Sequence, residues 1–143
     1  MYNQYFLACT DYTSLDEEER NSDSHSGSQR YCDSNDIHHG TQRPKFEGPG
    51  WYRFEGAAGD KIAENPIEGQ MCGTGGTGWM SGLHPVQSGH SVERTVCFNA
   101  NQQTCWVKKK IKVQNCGEYY IYLLPNAKCC NCGYCAVNSG MNF

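Results

Sequence analysis

From Cys105 to Gln114 the chain alternates with period two. Val107, Ile111 and Val113 fall on one side together with Lys109, while Lys108, Lys110, Lys112 and Gln114 fall on the other. Such alternation marks a half-buried strand. Lys109 interrupts the apolar side and predicts a bulge or a sheet edge there. A turn at Cys116-Gly-Glu118 follows, then the run Tyr119-Tyr-Ile-Tyr-Leu-Leu124, which Pro125 stops. The two runs predict an antiparallel hairpin. Trp51-Tyr-Arg-Phe54 and Ser91-Val-Glu-Arg-Thr-Val-Cys97 also alternate and read as strands. No segment has helical periodicity. The expected fold is a small, disulfide-rich, mainly β domain, with short antiparallel strands and hairpins joined by long loops.

The remaining stretches are polar or rich in glycine. Residues 10 to 50 are polar, and Asp16-Glu-Glu-Glu-Arg20 with the serine-rich residues 21–29 reads as exposed loop. Residues 66 to 90 hold Pro66, Pro85 and the run Gly73-Thr-Gly-Gly-Thr-Gly78, which reads as loop as well. There are no internal repeats. A length of 143 residues fits one domain, with a polar arm at 1–49, a β-rich body at 50–135 and a short tail at 136–143.

Composition explains how so loop-rich a chain can hold a fold. Apolar residues make up 38% of it, below the roughly 45–50% of ordinary globular domains. Ten cysteines stand in for the missing core. An even count in such a chain points to disulfides and an oxidising compartment, hence to a secreted or extracellular protein. The net charge of −3, with both signs interspersed, gives nucleic acid and acidic membranes no strong attraction. No stretch reaches the roughly 18 apolar residues of a membrane span. The N-terminus, Met1 to Cys9, has no basic segment and only a short apolar run, unlike a signal peptide.

Candidate chemistry adds little to this picture. The glycine run lacks the Gly-Lys-Ser/Thr ending of a phosphate loop. Cys129-Cys-Asn-Cys-Gly-Tyr-Cys135 holds overlapping Cys-x-x-Cys spacings, which suit zinc or redox work only with further ligands or a helix N-terminus. Structural disulfides fit better, so no metal and no cofactor are expected. The histidines His25, His38, His39, His84 and His90 accompany no nucleophile-elbow pattern, and no catalytic residue is expected. Lys108, Lys110 and Lys112 share a strand face, which fits a solvated edge or a surface for sulfated glycans. The aromatics from Trp51 to Tyr122, Trp106 among them, fit a core, and Trp79 is the candidate stacking ring for a ligand surface with the lysines.

Several segments, in order, resemble one family. They are Arg30-Tyr-Cys-Asp33, Gly50-Trp-Tyr-Arg-Phe54, Cys72-Gly-Thr74, Trp79-Met-Ser-Gly-Leu-His-Pro85, Glu93-Arg-Thr-Val-Cys97, Thr104-Cys-Trp106, Ile111-Lys-Val113, Cys116-Gly-Glu-Tyr-Tyr-Ile-Tyr122 and Tyr134-Cys135. This pattern resembles the uromodulin-like eight-cysteine domain of the uromodulin and pancreatic zymogen-granule glycoprotein family, in its shorter invertebrate-type version. The resemblance implies an extracellular, non-enzymatic module of a secreted or matrix protein. Its implied partners are other extracellular proteins or glycans, with self-association possible, and a microbe-recognising role is the alternative. Vertebrate relatives carry a mannose-rich glycan there that captures bacterial adhesins. This chain has no Asn-x-Ser/Thr sequon, so that role does not transfer. The resemblance also implies the pairs Cys9–Cys116, Cys32–Cys130, Cys72–Cys135 and Cys97–Cys105. Cys129 and Cys132 are additional, joined either to each other or to another chain.

Overall fold

The computed structural model describes residues 8–25, 30–36 and 40–140. Residues 1–7, part of the serine run and the pair His38-His39 lie outside the described residues. The architecture is mainly β. Seven strands make one sheet in the spatial order β1 (Thr13–Leu15), β4 (Gly50–Phe54), β9 (Tyr120–Leu124), β8 (Gln103–Asn115), β7 (Ser91–Ala100), β6 (Gly76–Ser81) and β10 (Cys132–Tyr134). Two small pairs flank it: β2 (Tyr31–Cys32) with β3 (Thr41–Gln42), and β5 (Lys61–Ile62) with β11 (Ala136–Val137). Two short 3₁₀ turns, Glu18–Arg20 and Gly56–Ala58, complete the elements.

The alternating runs place the core. Val92 lies opposite Val113, Val113 opposite Tyr122, and Tyr122 opposite Tyr52, so one row of side chains crosses four strands. Opposed residues of neighbouring strands share a sheet face. Met80, Val96, Phe98, Ile111, Leu124 and Tyr134 join this row in one buried cluster. Aromatic contacts supply much of its packing. Phe46 stacks on Tyr52 at 4.9 Å between ring centroids, and Phe54 tilts against Tyr122 at 5.2 Å. The hairpin of β8 and β9 forms antiparallel, in the register Lys112 opposite Leu123 to Asn115 opposite Tyr120.

Two readings of the sequence are corrected. Gly76–Ser81, within the stretch read as loop, is strand β6, between β7 and β10. Its glycines serve close approach as well as turning. A Cβ on Gly78 would meet the Gly133 carbonyl at 2.7 Å and the Phe98 ring at 2.8 Å. Small residues thus let β10 and the Phe98 ring press against the strand. The polar arm is not simply exposed either. Its strand β1 lies parallel to β4 at the sheet margin, and Leu15, Arg20, Asp33, Arg43 and Phe46 are all buried.

Candidate functional site

The ten cysteines stand in five close pairs within the chain. Cys9 meets Cys116, Cys32 meets Cys130 and Cys72 meets Cys135, at Cα–Cα distances of 5.8, 5.3 and 5.6 Å. Cys97 meets Cys105 at 4.7 Å, and Cys129 meets Cys132 at 5.1 Å. Three of these pairs span 107, 98 and 63 residues. They tether the arm and the glycine-rich loop to the C-terminal third of the chain.

A buried ion cluster performs the same task with charge. The Arg20 guanidinium grips Asp33 with two hydrogen bonds, 2.6 Å to Oδ2 and 3.0 Å to Oδ1, and donates another to the Tyr134 carbonyl at 3.0 Å. The Tyr134 amide donates to Asp33 at 2.8 Å. Arg43 approaches Asp33 to 3.8 Å and donates to the Cys72 carbonyl at 2.7 Å. Burial pushes the Asp33 carboxyl up, but the two guanidinium charges outweigh it and hold the group below the ordinary carboxylate range. Arg43 is lowered to about 10, first by burial and then by the neighbouring charge of Arg20. Nothing in the sequence signals this cluster. A charged side chain in a polar stretch reads as solvated until the fold brings its partners together.

His84 anchors a second buried knot. Its Nδ1 lies 3.0 Å from Glu64 and its Nε2 lies 2.7 Å from the Tyr122 hydroxyl, which accepts the Ile62 amide at 3.0 Å. Burial pushes the His84 pKa down, and the opposing pull of Glu64 does not offset it. Burial raises the Glu64 carboxyl, but hydrogen bonds from His84 and Lys61 outweigh this and set it at about 2. Both knots are occupied in fastening loops to the sheet.

Two surfaces remain open. Strand β9 pairs with β8 only from Lys112 onward, so residues 103–111 carry a strand edge with no neighbouring strand among the described residues. Lys108, Lys110 and Lys112 are exposed along it. Lys109, opposite Val96 on the core-facing side, stands on this overhang. Where β9 ends, a groove of about 330 Å³ opens between Pro49, Ile111, Leu123 and Pro125. Trp79 stands on β6, opposite Cys97, which in turn is opposite Lys108. It shares the lysines' face from two strands away, and its indole N–H is bonded to the Thr104 carbonyl at 2.8 Å.

The second surface is a cleft of about 520 Å³ at the tip of the β7–β8 hairpin. It holds Trp106, which is 40% exposed. An aromatic ring in so core-poor a chain reads as core, and here that reading is corrected. Trp106 stands two residues before Lys108 in the alternation, on the outward side, and a bulge in the paired register adjoins it.

Comparison with known proteins places these features in a family. A family model described as the uromodulin-like eight-cysteine domain matches residues 52–136. The pancreatic secretory granule membrane major glycoprotein GP2 of Mus musculus is 31% identical over 134 residues, covering 91% of this chain and 23% of that protein. The same glycoprotein of Homo sapiens is 32% identical over 133 residues, covering 92% and 22%. Uromodulin of Mus musculus is 39% identical over 87 residues, covering 60% and 14%. The chain therefore spans less than a quarter of the length of these curated relatives.

Proposed function

The chain belongs to the uromodulin-like eight-cysteine domain family, and on that premise we propose that it is a non-enzymatic, extracellular interaction module that docks an extended segment of another protein. The observation that carries this reading is the open edge of β8. Nine residues there, 103–111, lack a second strand among the described residues. Such an edge is a ready template for an added strand. The exposed row Lys108, Lys110 and Lys112 blunts pairing between two copies, because like charges would face each other. The same row favours a partner strand whose outward residues are acidic. The groove beside Ile111 and Leu123 offers its inward residues an apolar seat. The relatives are named as glycoproteins, which agrees with a secreted, disulfide-bonded setting.

A synthetic peptide alternating glutamate and valine tests this by hydrogen exchange of the intact chain. Added peptide is expected to protect amides between Cys105 and Ile111, and the protection is expected to fade as salt rises. The variant K108E/K110E/K112E is expected to lose it. Equal protection by a peptide alternating lysine and valine, or protection confined to other strands, would overturn the reading.

A second reading, glycan recognition, is favoured by one observation: the solvent-facing Trp106 inside an amide-lined cleft.

A further inference from the structure

Strands β7 and β8 run in even register from Ser91 to Phe98, which lies opposite Val107; the next pair is Ala100 with Gln103. Between these pairs β7 has one residue, Asn99, and β8 has three, Thr104, Cys105 and Trp106. The surplus must leave the ladder, and bulges of this kind re-aim side chains. Two ties hold this one in place. Cys105 is paired with Cys97, and the Thr104 carbonyl accepts the Trp79 indole N–H. A large ring is thereby kept in solvent on a pinned support, where burial would ordinarily be favoured.

What surrounds the ring is specific in chemistry. The cleft is lined by Gln70, Asn99, Asn101, Gln102 and Asn131, together with glycine backbone, and by no charged side chain. Each carboxamide offers donors and an acceptor. Asn99 gives one N–H to the Ile67 carbonyl at 2.7 Å, and the Gln70 oxygen accepts from Arg30. Those bonds orient the two groups and leave their other ends to the cleft. The backbone is strained around the same space. Gln70, Asn101 and Gln102 have φ of 70°, 51° and 64°, in the left-handed region. Only one other non-glycine residue among the described residues does so, Cys72. Strain gathered at one concavity is a mark of a functional site.

We propose that this cleft binds a neutral saccharide, with Trp106 stacking against the apolar face of a sugar ring and the carboxamides bonding its hydroxyls. A hydroxyl both donates and accepts, and so does a carboxamide. An uncharged lining neither selects nor repels ions, so acidic or sulfated sugars gain nothing here. The volume of about 520 Å³ falls within the range of small-molecule sites and suits a short saccharide. The proposal rests on the glycan-recognising reading and is independent of the strand edge, whose lysines lie outside this lining.

The test is binding of the whole chain, multimerised to raise its avidity, to an immobilised panel of neutral and sulfated oligosaccharides. Binding to a subset of the neutral ones is expected. W106A is expected to weaken it by about tenfold or more, W106F to keep part of it, and K108E/K110E/K112E to leave it unchanged. A non-reducing thermal melt of W106A against the parent controls for folding, since an exposed ring is removed. Neutral-glycan binding that survives W106A would sink the cleft while sparing glycan recognition. Binding only to sulfated sugars, lost in the lysine variant, would move the ligand to the β8 edge. No binding to any sugar would sink both.

Discussion

Asp33 is the residue on which the arm depends. It accepts from the Arg20 guanidinium and the Tyr134 amide, and it faces Arg43 at 3.8 Å. All three charged groups are buried. Removing the carboxylate leaves two guanidinium groups out of water with no counter-charge. Asp33→Ala is therefore expected to cost about 3–5 kcal/mol, the range for breaking a buried pair from one side. The non-reducing urea midpoint measures it. Asp16→Ala, at an exposed pair with Lys45, is expected to change stability by under about 1 kcal/mol. Equal effects at the two positions would remove the cluster from its role.

At the scale of elements, the five cysteine pairs differ in what they constrain. Cys9–Cys116 spans 107 residues and Cys97–Cys105 spans 8. On chain entropy alone, the first stabilises by roughly 5 kcal/mol and the second by roughly 2.5 kcal/mol. C9S/C116S is expected to lower the urea midpoint more than C97S/C105S. The second variant is expected to fold, to release the bulge and to weaken any sugar binding at Trp106. We also propose the five pairs as the covalent map of the native protein. Peptide mapping without reduction is the measurement, and Cys9 linked to any residue but Cys116 would refute the map.

The whole molecule carries a pH dependence set by its buried knots. The folded pKa of His84 lies below 6.5, so the unfolded chain takes up that proton first. Its contribution is complete above about pH 6.5 and declines as the pH falls through the folded value. Glu64 sits at about 2 against an ordinary 4.5. Its contribution is present above 4.5 and is lost as the pH falls toward 2. Asp33 is lowered too and adds to this acid limb. The melting temperature is expected to fall in two stages, gently below about pH 6.5 and more steeply below about pH 4.5. Glu64→Gln is expected to flatten the lower stage. A melting temperature constant from about pH 7 to about pH 3 would contradict both assignments.

Local pattern in the sequence determined the strand-forming runs, the β8–β9 hairpin and a disulfide-rich, mainly β fold. Period-two alternation and turn residues act between near neighbours, so they can be read from the chain. The same alternation sets Trp106 on the side of the lysines, although its aromatic character argues for the core. The tertiary structure alone decided three things. It turned part of a glycine run into a sheet strand, because Phe98 and Gly133 press on Gly78 from distant segments. It buried Arg20, Asp33 and Arg43, whose partners lie up to 114 residues away. It also gathered a cleft around Trp106, because a bulge belongs to the register of two strands and to neither strand by itself, and because Gln70 and Asn131 reach the cleft from remote loops. Contacts that cross the chain decide which polar residue is buried and what surrounds an exposed ring, and one-dimensional pattern carries no record of them.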